Sequence, residues 1–392
     1  MDESSLLNIA DTWSFWDRKI PDSITRRVTL PGSISNRLAL IVQGVRRCGK
    51  STLLTQMVDR FDLDPKHCAF INFEDPRLSG SLHFEALDAL VSAFDRLHPE
   101  ADRRIYFFDE IQWVDGWAKW LRSRLERPDR NAYVVSGSNA HLLSGELSGL
   151  LTGRHLTIEL YPFDISEFHL QHPTGTLSDY LEQGGFPEPL TMAEGDRLLR
   201  QYLADIVERD VRERVGARSS LALRQMVQMV FESAGSELSL RRIAAACGIA
   251  VETAATYLEA CEHAYLLFAC PFFAWSERKR SHRNKKYYPI DTGLRRVVVT
   301  ATGRDLGKAL ECATFIELRK RFRDVFYWRG GKGEIDFIVN TDRGPRPIQV
   351  TWDGRHERHE HSLDEFFENF PNAVEPHFIT AANFESAFEP MQ

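Results

Sequence analysis

Short apolar runs recur along the first third of the chain, and helically spaced stretches separate them. Leu38–Val42 is the first run, ending in a glycine loop, and a helical pattern follows from Lys50 to Phe61. Cys68–Phe73, Ile105–Phe108 and Tyr133–Val135 repeat the theme, with helical stretches near 81–97 and 114–126 between them. Strands alternating with helices predict an α/β fold with a mostly parallel sheet covered on both faces. Residues 1–36 read as a polar approach segment carrying Trp13, Phe15 and Trp16. After about residue 165 the alternation stops, and 177–234 reads as mainly helical.

The next segment has a different character. Ser239–Ala244 opens a short helix, Cys247-Gly248-Ile249 turns the chain, and Val251–Ala264 continues as a second helix. That is a helix-turn-helix pattern with Gly248 supplying the turn. Leu266–Phe273 and Lys286–Ile290 fit the two strands of a wing. The remainder, 304–392, predicts a helix, strands at 325–329, 334–339 and 346–351, and a closing helix.

Composition narrows the class. A chain of 392 residues that is 43% hydrophobic and 27% charged is globular, long enough for several domains, and neither disordered nor fibrous. The longest apolar run, Ala264–Trp275, is too short to span a bilayer, so no membrane partner is expected. The opening Met1-Asp2-Glu3 lacks a secretory pattern, and the six cysteines show no paired spacing; both fit a reduced, cytoplasmic protein. The formal charge of −7 points away from global nucleic-acid binding, so any such surface must be local.

Gly44-Val45-Arg46-Arg47-Cys48-Gly49-Lys50-Ser51 is a complete GxxxxGKS between a predicted strand and a predicted helix. The glycines let backbone N–H groups and the helix start face phosphates. Gly44 through Thr52 therefore form the expected nucleotide cradle. Lys50 would bridge the β- and γ-phosphates and Ser51 would ligate Mg²⁺. The strand Ile105–Phe108 ends in Asp109 and Glu110, one acid for the metal's shell and one to orient and deprotonate water. Glu110 argues for hydrolysis rather than nucleotide storage. Ser138 and Asn139, after the fourth strand, are either phosphate sensors or a helix N-cap. Arg154 is either a finger for transition-state charge, supplied to a neighbouring subunit, or a surface ion pair.

The arginine pair in the loop, FFDEIQ, SGSN, LTGRHLTIELYPFDISEF and GGFPEPL together resemble a prokaryotic AAA-type ATPase family over about residues 15–380. Its members join the P-loop domain to a C-terminal domain of unknown function. The resemblance implies an AAA+ parallel-sheet core, ATP and Mg²⁺ as cofactors, self-assembly into a ring, and catalytic roles for Lys50, Ser51, Asp109 and Glu110. It also implies a helical lid in which Gly185-Phe186-Pro187 touches adenine; a plain loop turn is the alternative for Pro187. The implied division is an ATPase domain with its approach segment at 1–165, the lid at 166–234, a winged helix at 235–300 and a last domain at 301–392.

That last domain resembles a degenerate PD-(D/E)xK nuclease fold. Glu311 and Asp336 match its first two acids, but Gln349 stands for the third and Thr351 for the lysine. An amide is a poor Mg²⁺ ligand and threonine carries no positive charge, so nuclease chemistry is not expected. His356, His359 and His361 do not share one helical face, and a solvated charged loop is expected there.

Between Ser276 and Arg296 lie Arg278, Lys279, Arg280, Arg283, Lys285, Lys286, Arg295 and Arg296, against only Glu277 and Asp291. A basic loop at a wing is placed to meet DNA phosphates, with a merely solvated loop as the alternative. Val251–Ala264 carries Glu252, Glu259 and Glu262 and no lysine or arginine, so base reading is not expected. The leading expectation is an oligomeric ATPase that remodels or translocates DNA. A nucleotide-dependent regulatory or defence switch comes second and an ATP-controlled nuclease third, while a protein-binding ATPase also fits a winged helix.

Overall fold

Five strands, Ala39–Gln43 (β1), Cys68–Asn72 (β2), Ile105–Asp109 (β3), Ala132–Gly137 (β4) and His155–Glu159 (β5), form one parallel sheet in the order β2-β3-β4-β1-β5. β1, β3 and β4 are buried along their whole length, which is why they read as unbroken apolar runs. Helices Lys50–Arg60 (α2), Glu85–Leu97 (α3) and Trp117–Glu126 (α4) supply the crossovers. The computed structural model describes residues 3–14, 23–78, 82–126, 130–138, 149–217, 219–299, 305–354 and 357–389. The chain divides into two compact units, Met1–Tyr161 and Pro162–Gln392.

Two elements of the first unit depart from the expected pattern. The approach segment begins with a helix, Glu3–Trp13 (α1), which buries Ile9 and Ala10. Trp13 anchors it by donating from Nε1 to Asp75 Oδ2 at 2.7 Å. The unexpected strand is β5, an edge strand whose residues are mostly part-exposed, so His155, Thr157 and Glu159 broke the apolar signature. Phe15 and Trp16 lie outside the described residues.

The second unit starts with helices, including a π-helical stretch at Ile206–Arg212. The helices Leu240–Cys247 (α5) and Val251–His263 (α6) follow, turning through 102° about Gly248, whose φ of 64° places it in the left-handed region. Strands Leu267–Cys270 (β6) and Lys286–Pro289 (β7) pair antiparallel. Past β6 the chain bonds to the last sheet: Phe273 N donates to Tyr327 O at 2.7 Å and Tyr327 N to Pro271 O at 3.0 Å. That sheet has the order β8-β9-β10-β11, from Val325–Arg329 (β8), Glu334–Thr341 (β9), Gly344–Thr351 (β10) and His377–Thr380 (β11). Helices Leu306–Arg321 (α7) and Glu357–Asn369 (α8) accompany it. The strand β11 escaped the pattern because it is a short, part-exposed edge. Among the described residues no single helix is long and apolar enough to cross a membrane.

Candidate functional site

The GxxxxGKS loop leaves the end of β1 and runs into α2. A Cβ on Gly44 would lie 2.1 Å from Leu160 O, so only glycine fits where the loop passes the end of β5. Gly49 holds φ at 97°, a left-handed conformation that costs glycine nothing. Lys50, 3% exposed, donates from Nζ to Gly44 O and Val45 O at 3.2 Å each, and lies 3.5 Å from Glu110 Oε1. Ser51 Oγ donates to Asp109 Oδ2 at 2.6 Å. The four residues expected to carry the chemistry therefore meet, although 58 residues separate Ser51 from Asp109.

The acids are set by their neighbours. Asp109 is fully buried at the end of β3 and accepts from Ser136 Oγ at one oxygen and from Ser51 Oγ at the other. Burial first, and the Glu110 charge second, push its carboxyl up to about 6. Glu110 turns the chain out of the strand with φ of 55°, a strained region for a non-glycine residue, and its N–H donates to Ser136 Oγ at 3.2 Å. Burial works to neutralise Glu110, but Lys50 and the bond from Gln112 Nε2, at 2.5 Å, hold its carboxyl below the usual value. Burial likewise works against the Lys50 ammonium, and Glu110 outweighs it, keeping the amine charged.

The rest of the cradle sorts itself by side chain. Cys48 is buried with Sγ 3.4 Å from Leu160 O, so it offers a phosphate its backbone and not its thiol. Arg46 pairs with Glu74 at 3.0 Å, Arg47 is exposed with φ of 69°, and Thr52 is half-buried in the first turn of α2. Ser138 is buried, and Gln112 Nε2 reaches its Oγ at 3.5 Å, but Ser136 is the hydroxyl that contacts both strand-end acids. Asn139 lies outside the described residues. Arg154 sits just before β5, at the sheet end opposite the P-loop, and donates to Leu125 O at 3.0 Å. The length of β1, roughly 16 Å, separates it from its own cradle.

One residue of this site has no signal in the sequence. Arg26, 4% exposed, donates to Cys48 O and to Tyr161 O, each at 2.6 Å. It lies behind the loop and ties it to Tyr161, two residues past β5. Gln56 and Arg60 of α2 bond to the backbone of the same segment. Gln112 likewise has no signal in the sequence, and Ser136 belongs to the small polar strand end that the sequence marks without saying which hydroxyl serves.

The sequence family described as an AAA domain matches residues 36–169, which contain the P-loop and both strand-end acids, and a domain of unknown function matches 174–305. An uncharacterised protein of Methanocaldococcus jannaschii is 30% identical over 327 residues, covering 76% of this chain and 71% of that protein. The chain belongs to the prokaryotic AAA-type P-loop ATPases. An uncharacterised protein of Haemophilus influenzae is 29% identical over 339 residues, covering 82% of this chain and 84% of that one. Among solved structures, a DNA polymerase III gamma subunit-related protein from Thermotoga maritima is similar over 91% of this chain and 92% of its own. Its TM-score is 0.29 and its identity 12%, too slight a likeness to argue from.

In the second unit, the Gly184-Gly185 turn is shaped by Asp291. Its carboxylate accepts from Gly185 N and Leu294 N at 2.7 Å each, and a Cβ on Gly184 would collide with it. Phe186 is fully buried and Pro187 half-buried. Further along, Glu311 and Asp336 line a common cleft with Gln349, Thr351 and Lys308. Gln349 is 2% exposed and its amide is committed, donating to Glu334 O at 2.9 Å and to Ser362 Oγ at 3.3 Å. Lys308 Nζ lies 2.8 Å from Glu311 Oε2, a cation that sequence reasoning did not place there.

Two sequence expectations need correction. The basic cluster is not one surface. Lys286 is fully buried, ion-paired with Glu334 and 5.1 Å over the Tyr327 ring. Arg295 is buried and donates to Phe231 O at 3.1 Å, while Arg296 is bound to Asp196. Arg280 turns back to Glu277 at 2.6 Å, leaving Arg278, Lys279, Arg283 and Lys285 exposed together, while Arg296 is exposed but paired with Asp196. The histidine segment is not a solvated loop either. His359 lies in α8 and is 6% exposed, because the helix turns it toward Phe378; His361 is exposed, and His356 lies outside the described residues. Among the described residues no group of three His, Cys, Asp or Glu is placed to hold a metal.

Proposed function

We propose that this chain hydrolyses ATP with Mg²⁺ and couples that turnover to DNA as a self-assembled oligomer. The observation that carries the hydrolytic part is the meeting of buried Lys50, Asp109 and Glu110 with the exposed Ser51, with Glu110 kept ionised by Lys50. A hydroxyl and a carboxylate 2.6 Å apart are a donor set suited to Mg²⁺, which Ser51 and Asp109 would hold. When bound, the ion neutralises charge on the phosphates. The P-loop backbone and Lys50 bind and orient those phosphates. Arrival of a phosphate gives Lys50 a second anion, which releases Glu110 to take the proton of the attacking water. Gln112 aims that carboxylate.

The DNA part rests on Arg278, Lys279, Arg283 and Lys285, exposed on the connection between β6 and β7, which we read as the wing of a winged helix. Arg154 acts, in this reading, on the nucleotide of a neighbouring copy, and Pro187 on adenine within the lid. We read the last sheet as a retained nuclease-like fold used for binding or assembly, because the Gln349 amide stitches β9 to β10.

Phosphate release, measured with and without single-stranded, duplex and branched DNA over a range of protein concentrations, tests the reading. Turnover should rise with both. Arg154→Ala should bind ATP and turn over slowly, and mixing it with Lys50→Ala subunits should restore activity. Turnover indifferent to DNA and to concentration would leave the nucleotide switch as the better reading. DNA cleavage with Mg²⁺ or Mn²⁺ that vanishes in Asp336→Ala would make the last domain a nuclease.

A further inference from the structure

Trp275 is 60% exposed, an informative placement for so large an apolar side chain. Its ring is nonetheless held. It makes T-shaped contacts with Phe273 and Phe370, with centroids 5.3 and 6.3 Å apart, and Phe273 is itself buried against Phe326. One side of the indole is thus fixed to the second unit's core while much of it faces solvent.

The short helix Glu277–Ser281 begins two residues later. Arg280 points back into the fold, paired with Glu277 and 5.5 Å over the Phe326 ring. At helical spacing, Arg278 then lies on the side opposite Arg280, and Lys279 on the flank. Both are exposed, as are Arg283 and Lys285 beyond the helix. The Arg283 guanidinium lies 4.8 Å over the Phe272 ring, which restrains it. Glu277, the one carboxylate of residues 275–285, is already paired.

We propose that residues 275–285 form a contact for single-stranded nucleic acid, in which Trp275 stacks on an unpaired base while Arg278, Lys279, Arg283 and Lys285 meet the phosphates. This rests on the DNA reading above and narrows it to a strand whose bases are free. Aromatic platforms flanked by cations bind single strands with little sequence preference, because every base has a face to stack. Duplex bases are already stacked and have no face to offer. The exposed side of α6 carries Val251, Glu252, Thr256 and Glu259 and no cation, so it does not favour a duplex major groove. A single indole followed by Ser276 and Glu277 also gives a bilayer too little apolar area to hold.

Fluorescence polarisation of the full-length protein with an oligothymidine and with a mixed-sequence duplex, at low salt, tests this. The oligothymidine should bind about tenfold more tightly than the duplex. Trp275→Ala should lose about that tenfold on oligothymidine and leave duplex affinity unchanged, which also reports that the variant is folded; Trp275→Phe should retain most of the preference. Joint reversal of Arg278 and Lys279 to glutamate should weaken both ligands and flatten the salt dependence. Equal affinities that Trp275→Ala does not alter would overturn the stacking and leave the phosphate reading standing. No binding of either ligand by the wild type would sink both. Sedimentation with phosphatidylserine vesicles, in the absence of DNA binding, would reassign the patch to a membrane surface.

Discussion

The Lys50 ammonium lies 3.5 Å from the Glu110 carboxylate, and both side chains are buried. Each is the other's principal counter-charge, so the pair acts on stability as well as on chemistry. Lys50→Ala leaves Glu110 buried without its cation and should destabilise the protein by about 3–5 kcal/mol. Lys50→Ala with Glu110→Ala should recover much of that loss while remaining inactive. Chemical denaturation of the two variants checks this; equal losses would mean that the pair is not coupled.

Glu110→Gln keeps the shape of the side chain and the Lys50 bonds to Gly44 and Val45. Nucleotide affinity should persist while turnover falls by about a hundredfold or more, since only the proton acceptor is removed. Titration with a fluorescent nucleotide, beside a phosphate-release assay, separates the two. Wild-type turnover in this variant would remove Glu110 from the role of base.

Asp109 makes stability depend on pH. With its carboxyl raised to about 6, the folded state binds this proton more tightly than the unfolded state does. The contribution is complete below about pH 4, near the unfolded value, and is lost as pH rises through 6. Asp109→Asn removes the titration. Its stability relative to wild type should therefore grow between pH 4 and pH 7, by about 1–3 kcal/mol. Thermal melts across that range, without nucleotide or metal, test it; a pH-independent difference would count against the assignment. The same proton competes with a metal, so turnover should fall below about pH 6.

Arg26 holds the carbonyls of Cys48 and Tyr161 at once. Arg26→Ala should cost about 2–4 kcal/mol of stability, through two charge-assisted bonds to buried acceptors. Arg26→Lys supplies one point charge where a fork is needed. It should raise KM for ATP more than it lowers kcat, because a loosened P-loop weakens phosphate binding generally. Steady-state kinetics decide; an unchanged KM would make Arg26 a packing residue only.

Lys286 and Lys279 are nearby in sequence and opposite in role. Lys286→Ala removes a fully buried side chain and its bond to Glu334, which is part-exposed and still paired with Arg329, and should cost about 1–3 kcal/mol. Lys279→Ala, at an exposed position, should leave the melting temperature nearly unchanged while weakening DNA binding. Melting curves and salt-dependent DNA titrations on both variants check the contrast. Equal stability of the two would contradict the buried placement.

The P-loop end of the first sheet was readable from sequence because its motifs are local. A strand, a glycine loop and a helix start are consecutive in Leu38–Arg60, and Ile105–Glu110 carries its two acids at the end of an apolar run. The same locality revealed Gly248 between two helices. What the sequence determined was therefore the α/β core, the cradle, its two acids and the helix-turn-helix. Tertiary structure alone decided which hydroxyl serves the acids, that Arg26 braces the loop from behind, and that Arg154 sits at the far end of the sheet. It also decided which cations of 278–296 reach solvent. Those outcomes depend on strand order and on which way a side chain turns, and both follow from contacts between residues far apart in the chain. Lys286 shows the reason plainly: its charge is identical in sequence to that of Lys279, and its place in a buried strand beside Tyr327 and Glu334, the latter 48 residues away, makes it a core residue.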